Sequence, residues 1–464
     1  MQARAHYDAL VIGAGPAGWS AALQGSKLGL RVAVAERGAV VGGNCIHWGT
    51  VPSKTLRETI LKIVAVREAG AFGIRSSSSM RMSIHDLMRH KDSVIDQQTR
   101  TIQNFLDRNH VDVLPGSASF VDPHRVRVAN ASDEAIYRAD RIFIATGSRP
   151  RRPASIPFDD RYVVDSDSIL ELDAVPRSLA VLGGGVIGCE YACMFAALGV
   201  KVTLIDRRRE LLRFLDERIV SSLCHHMQQA GVRLLLGEDV EGIDVGGEDR
   251  SARVRIALRG GRTVKAERLL ATAGRESAIA SLALDAAGVA VDDQGLVKVD
   301  ECYRTSTEHV YAMGDVIGFP ALAGTSMHQG RVAMLHAAGR EVPPPRALPI
   351  AIYTIPEISM VGLTEQECRD QGIPYEVGVA RSGELARGQI SGELDGLLAL
   401  VFHRDDGRLL GVHMIGPRAS ELIHFGMALL HAGGTIDDVA GAIFNYPTSS
   451  EAYRVAALDG LNRL

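Results

Sequence analysis

The sequence predicts an α/β fold: two dinucleotide-binding, Rossmann-like domains and an α+β C-terminal dimerisation domain. Three observations lead there. A strand, glycine turn, helix, strand and acid follow one another at the start of the chain. The same order returns from Leu179 onward. After Pro343-Pro344-Pro345, a stiff break, Ala347 to Leu464 mixes strands and helices with no third copy, and so reads as a separate domain. One G-x-G-x-x-G is a weak signal in a chain with 48 glycines, whereas two in full context are a strong one.

In the first copy, Tyr7 to Ile12 is an apolar run of strand type, followed by Gly13-Ala14-Gly15-Pro16-Ala17-Gly18 and a helix through about Leu28. The strand Arg31 to Ala35 then ends in Glu36, 18 residues beyond Gly18. In the second copy, Leu179 to Leu182 leads into Gly183-Gly184-Gly185-Val186-Ile187-Gly188 and a helix through about Leu198. The strand Lys201 to Ile205 ends in Asp206, again 18 residues beyond the last glycine. The first glycine permits the tight turn, the second lets backbone approach a pyrophosphate, and the third lets helix and strand pack closely. The helix N-terminus then faces the anion, and the acid accepts hydrogen bonds from the adenosine ribose.

Arg141-Ile142-Phe143-Ile144-Ala145-Thr146-Gly147 and Leu269-Leu270-Ala271-Thr272-Ala273-Gly274-Arg275 are apolar strands ending in small residues, read as the exits of the two units. Val310-Tyr311-Ala312-Met313-Gly314-Asp315 is a further strand ending in Gly-Asp. Ser76 to Ser79 reads as a short solvent loop.

Composition excludes several classes. At 464 residues the chain exceeds one ordinary core. Its 46% hydrophobic and 23% charged residues match soluble globular protein. A net charge of −4, with basic runs as short as Arg207-Arg208-Arg209, leaves no footprint for nucleic acid. Glycines interrupt the N-terminal apolar stretch as they would not a signal peptide, and no membrane-length apolar run occurs, so a cytoplasmic protein without a membrane partner is expected. Six scattered cysteines form no C-x-x-C pair and no zinc-like spacing, so neither disulfides nor a metal site are expected. Cys189 and Cys193 read as buried small residues on a helix.

Together these segments resemble the two-dinucleotide-fold flavoprotein disulfide reductases, the class I pyridine nucleotide-disulfide oxidoreductases, across essentially the whole chain. The resemblance implies that Gly13, Gly15, Gly18 and Glu36 hold FAD, that Asp315 holds its ribityl chain, and that Gly183, Gly185 and Gly188 hold the nicotinamide nucleotide. Gly43, Thr50, Lys54, Thr146, Gly147 and Gly274 complete the expected cofactor-binding set. Residues 1–150 and 275–342 would form the FAD domain, 151–274 the NAD(P) domain, and 343–464 the interface of a homodimer or higher homo-oligomer. A lysine and a glutamate pair beside the flavin in that family, and the matching positions are Lys54 and Glu190.

The departures are as informative. The family's redox segment carries two cysteines five positions apart; here Cys45-Ile46-His47-Trp48-Gly49-Thr50 has threonine at the second place. A hydroxyl cannot enter thiol exchange. The family's His-Pro-Thr-x-x-Glu, which manages a thiol's proton across the dimer, is here Tyr446-Pro447-Thr448-Ser449-Ser450-Glu451. Tyrosine, with an ordinary pKa near 10, is a poor base at neutral pH. The strings around Cys45, Lys54, Tyr446 and Glu451 are similar to those of the soluble, FAD-containing pyridine nucleotide transhydrogenases, which implies hydride transfer between NADP(H) and NAD(H) through flavin. Thr50, Tyr446 and Glu451 are placed at that site by resemblance, and Cys45 is either a thiolate donor to the flavin or a buried relic.

Asp206 suits a free 2′-hydroxyl, while Arg207 and Arg208 suit a 2′-phosphate, so both nucleotides could use one site. The plainer reading makes these arginines a wet strand end. Three other functions stay open at this level: an NAD(P)H oxidase or diaphorase giving electrons to oxygen or a quinone, a peroxidase using Cys45, and a non-catalytic flavoprotein component.

Overall fold

Alanine, leucine, valine and isoleucine fill the second half of the first strand, a composition that suits a strand covered on both faces. In the computed structural model, which describes residues 3–68, 84–246, 253–343 and 347–464, this strand, Ala5–Ile12, lies mid-sheet with its last four residues buried. Parallel strands flank it in the order Asp112–Pro115, Val32–Glu36, Ala5–Ile12, Glu134–Ile144 and Val310–Ala312. Period-two alternation sorts the side chains. Ala9, Val11, Val34 and Phe143 pack toward the helices Pro16–Lys27 and Ala323–Ala337, through Ala17, Ala21, Ala333 and Met334. Leu10, Ile12, Ala33 and Ile144 pack the other way, against Val126 and Val128.

The strand expected from Arg141 starts at Glu134. Its residues Glu134 to Arg138 pair antiparallel with Arg125–Ala129, which pairs in turn with Ser117–Asp122, while parallel pairing with Ala5–Ile12 runs from Tyr137 to Ile144. One sequence element therefore serves two sheet environments.

The chain divides into two compact units. The first is Met1–Pro153, Asp165–Ala174 and Ala273–Pro344, and holds the sheet above; the second is Ala154–Val164, Val175–Thr272 and Pro345–Leu464. Within the second unit, the repeated motif builds a parallel sheet in the order Arg233–Leu236, Lys201–Asp206, Ser178–Leu182, Arg268–Ala271 and Val163–Val164. A three-stranded antiparallel ribbon packs on it through Val254, Ile256 and Leu258. The helix Val186–Ala197 is buried over most of its length, Cys189 and Cys193 included.

The rest of the second unit is a five-stranded antiparallel sheet, ordered Ile350–Ile352, Ile358–Gly362, Leu409–Ile415, Leu397–His403 and Tyr375–Arg381. The helices Ala419–Ala432 and Glu451–Leu461 cover it. Tyr453 pins them together: its hydroxyl donates to the carbonyl of Leu422 at 2.8 Å and accepts from the Gly426 N–H at 3.2 Å. Burial pushes this phenol well above its ordinary pKa. The Ser76 to Ser79 segment, and Pro344 and Pro345 of the proline break, lie outside the described residues. Among the described residues no helix is long and apolar enough to cross a membrane, and no cluster of three or more metal-type ligands occurs.

Candidate active site

The first glycine turn is built from backbone that tolerates no side chain. Gly13 lies at φ +103°, and a Cβ there would stand 2.4 Å from the carbonyl oxygen of Ala145. A Cβ on Gly18 would stand 1.8 Å from the Gly13 oxygen, so helix and strand meet only because position 18 is bare. Gly43 closes the other side: its Cβ would lie 2.7 Å from the Gly15 Cα. Gly15 is the N-cap of the helix Pro16–Lys27 and gives it no side-chain cap, so the first-turn N–H groups are left for an anion.

Glu36 braces this turn. Its Oε2 accepts from the Ala14 N–H at 2.8 Å and its Oε1 from the Gly38 N–H at 2.7 Å. A carboxylate has about four acceptor sites, so two remain for ribose hydroxyls. The Thr146 Oγ1, next to the turn, is buried with no hydrogen-bond partner among the described residues, as a group awaiting a polar ligand would be. Gly147 follows at φ +69°, and its carbonyl accepts from the Ala278 N–H at 3.0 Å.

Asp315 is held by a polar knot. The Ser148 hydroxyl donates to its Oδ2 at 2.7 Å and accepts from the Arg275 Nε at 2.8 Å. The Ser148 carbonyl accepts from Arg275 Nη2 at 2.9 Å and from the Asn44 side-chain amide. Arg275 ends the second exit segment, but neither it nor Ser148 or Asn44 was expected as a site residue. Their partners lie more than a hundred positions away.

Cys45 and Thr50 lie together in the same unit, Cys45 on the short helix Gly43–His47 and Thr50 opening the helix Thr50–Glu68, which also carries Lys54. Burial pushes the Cys45 thiol up; a hydrogen bond with Thr50 opposes this, Asp315 adds to it, and Lys54 opposes it. The balance keeps a thiol rather than a thiolate. None of the six cysteines is in a disulfide.

The second turn repeats the first. Gly183 lies at φ +111°, with Thr272 where Ala145 stands in the first copy, and a Cβ on Gly188 would stand 1.9 Å from the Gly183 oxygen. Gly185, the N-cap of Val186–Ala197, faces open space and also makes no side-chain cap. Asp206 repeats the bracing role, its Oδ2 accepting from the Gly184 N–H at 2.5 Å and its Oδ1 from the Arg208 N–H at 2.7 Å. It then does more. The Arg208 guanidinium donates Nε to Oδ1 at 3.0 Å and Nη2 to Oδ2 at 2.9 Å. Burial pushes the Asp206 carboxyl up, but these four donors outweigh it and hold the group below the usual carboxylate range. Arg207 is exposed. Gly274, at φ +90°, belongs to the first unit, where its carbonyl accepts from the Arg151 N–H at 3.0 Å.

Glu190 is buried on Val186–Ala197, and its Oε1 accepts from the Tyr353 N–H at 2.8 Å. Further bonds tie the two parts of this unit. Arg218 Nε donates to Glu365 at 2.5 Å, Asp216 accepts from the Glu365 N–H at 3.3 Å, and His226 meets the Asp395 carbonyl at 2.9 Å. Tyr446 is 72% exposed, while the Glu451 Oε2, at the start of its helix, is buried with no partner among the described residues. Both nucleotide cradles fit their expected ligands: uncapped helix ends for pyrophosphate, bare glycine backbone for close approach, and acids at the ribose end.

Residues 7–337 match the pyridine nucleotide-disulphide oxidoreductase family, and residues 348–457 match its dimerisation domain. The chain is 45% identical, over 99% of its length and 98% of the relative's, to a soluble pyridine nucleotide transhydrogenase of Mycobacterium tuberculosis (strain ATCC 25177 / H37Ra). It is 45% identical, over the full length of both, to one of Yersinia enterocolitica. Among solved structures, LpdA from Mycobacterium tuberculosis superposes with a TM-score of 0.90 at 27% identity, covering 97% of this chain and 99% of that one. The HOCl-induced flavoprotein disulfide reductase RclA from Escherichia coli superposes at 0.87, also at 27% identity, with 97% and 99% covered.

Proposed function

Because this chain belongs to the pyridine nucleotide-disulphide oxidoreductase family, we propose that it is a soluble, FAD-dependent NAD(P)+ transhydrogenase, NADPH + NAD+ ⇌ NADP+ + NADH, acting as a cytoplasmic homodimer. The observation that carries this reading is Thr50 beside Cys45. With a hydroxyl where a second thiol is needed, and with Cys45 kept protonated by burial, no dithiol can receive electrons, yet both nucleotide cradles are intact. Bound flavin supplies a two-electron store that can take hydride from one nicotinamide and return it to another.

The protein's own work is binding and alignment. Gly13, Gly18 and Gly43 shape the turn that lets the bare backbone of Gly15 approach the FAD pyrophosphate, with Glu36 on the ribose and Asp315, steadied by Ser148, on the ribityl chain. Thr146, Gly147 and Thr50 line the same cradle. Gly183, Gly185 and Gly188 do the same for NADP(H) and NAD(H), which take turns in one site, with Gly274 at the exit of that repeat. Tyr446 and Glu451 are assigned to the neighbouring subunit's site. The nicotinamides are identical and the phosphate is remote, so the reaction is near thermoneutral and its direction follows cellular ratios.

Lys54 is assigned the electrostatic role, a fixed positive charge beside the flavin, with Glu190 held in place by Tyr353. Lys54→Met is therefore expected to lower the flavin midpoint potential and slow hydride transfer by about tenfold or more. An unchanged potential and rate would remove that role. Cys45→Ser, by contrast, is expected to change steady-state transhydrogenation by less than about threefold, since a half-buried thiol held protonated contributes no charge. A larger loss would restore a catalytic role to the sulfur.

The deciding experiment is anaerobic. The holoenzyme is reduced with NADPH, freed of excess nucleotide and mixed with NAD+. Stoichiometric NADH, formed within the turnover time, supports transhydrogenation. A protein that yields electrons only to a quinone or oxygen is a diaphorase or oxidase instead.

A further inference from the structure

We propose that Arg208 is a charge-cancelling clasp on Asp206, and that this clasp is what lets a single nucleotide site accept a 2′-phosphate as well as a 2′-hydroxyl. The inference rests on the transhydrogenase reading and deepens it by giving two adjacent arginines different work.

The two repeats of the same chain supply the comparison. Glu36 and Asp206 occupy equivalent strand ends, and each reaches back to the N–H after its first glycine and forward to the N–H two residues on. There the likeness stops. Glu36 makes these two backbone bonds and keeps acceptor capacity for a ribose diol. Asp206 takes two more donors from the Arg208 fork, at 2.9 and 3.0 Å, which brings it to the four acceptor sites a carboxylate offers. Its side chain is 5% exposed, against 41% for Arg208. An acid that is saturated and neutralised in this way neither competes strongly for a 2′-hydroxyl nor repels a 2′-phosphate.

The spacing explains why Arg208 fills this role. It is the residue whose own N–H already bonds Asp206 Oδ1, so its side chain starts beside the carboxylate and closes a ring of short bonds. Arg207 is exposed and is left to meet the phosphate directly. Arg208 is accordingly a positioning residue: it acts through Asp206 rather than on the ligand.

The test titrates oxidised holoenzyme with NADP+ and with NAD+ by calorimetry, which requires no turnover. Arg208→Met bares the Asp206 charge and is expected to weaken NADP+ by about tenfold or more while NAD+ stays within about threefold. Adding Asp206→Asn to Arg208→Met removes that bared charge and is expected to return NADP+ to within about threefold of the wild type. If Arg208→Met does not accumulate as holoprotein, Arg208→Gln, which keeps a neutral donor to Asp206, carries the same test. Equal losses for both nucleotides would make Arg208 merely structural, and no loss would make it idle. Failure of the double variant to recover would make Arg208 a direct phosphate ligand. Each of these overturns the clasp. The parent reading fails differently, through a wild type that does not bind both nucleotides or does not pass hydride between them.

Discussion

Gly188→Ala is expected to yield a protein that is still yellow but has lost at least about 100-fold in kcat/KM with NADPH and NADH alike. The added methyl would stand 1.9 Å from the Gly183 oxygen and 3.1 Å from the Thr272 hydroxyl, so the helix must move off the strand or the turn must open. Either way the first-turn N–H groups leave the pyrophosphate position, and displacements near 1 Å can cost about 100-fold. Gly18→Ala should do the equivalent at the other turn, where the methyl would stand 1.8 Å from the Gly13 oxygen, and give colourless apoprotein. Flavin content, read as visible absorbance against total protein, separates the two. A Gly188→Ala enzyme that lost its flavin, or kept turnover within about threefold, would contradict the assignment of the second turn to pyridine nucleotide.

Arg207→Ala is expected to raise KM for NADPH by about 10- to 100-fold and to leave KM for NADH within about threefold. A charge-assisted bond to phosphate is worth about 1.5–3 kcal/mol, and Arg207 is an exposed cation that directly follows the ribose-end acid, whose own partner is Arg208. Because the contact is exposed, the wild-type preference it creates should shrink as ionic strength rises above the physiological range. Parallel losses for both nucleotides would return Arg207 to the wet surface of an ordinary strand end.

Both nucleotide turns were legible in the sequence because their geometry admits almost no other residues. A φ near +100° and a helix meeting a strand through a bare Cα leave glycine as the simple solution at positions 13, 18, 183 and 188. The departure at Thr50 was equally legible, since chemistry alone separates threonine from cysteine. What was hidden depends on long-range pairing. Ser148 reaches Asp315 across 167 residues and Arg275 across 127, and neither separation leaves a local pattern. The strand Glu134–Ile144 was seen only in its buried half, because the other half reads as an ordinary polar ribbon until its partners are known. Asp206 followed by three arginines read as a place for a ribose or its phosphate and not as an ion pair; that Arg208 folds back follows from the backbone bond it already makes to Asp206.

The ties around Glu190 and Arg218 also bear on how such a chain can be recombined. The second nucleotide-binding repeat looks, on paper, like a portable cassette running from one strand end to the next. Yet its buried Glu190 takes an N–H from Tyr353, and Arg218 and His226 are bonded to Glu365 and Asp395, all three partners lying beyond the cassette's apparent borders. Excised or transplanted alone, the repeat would lose the Tyr353 donor to Glu190 together with the bonds from Arg218 and His226. Chimeras that trade nucleotide preference between relatives therefore have to exchange the C-terminal sheet and the segment Ala154–Val164 along with Val175–Thr272. If Arg207 and Arg208 set the choice between NAD(H) and NADP(H) as proposed, that choice is inherited with the scaffold of the whole second unit.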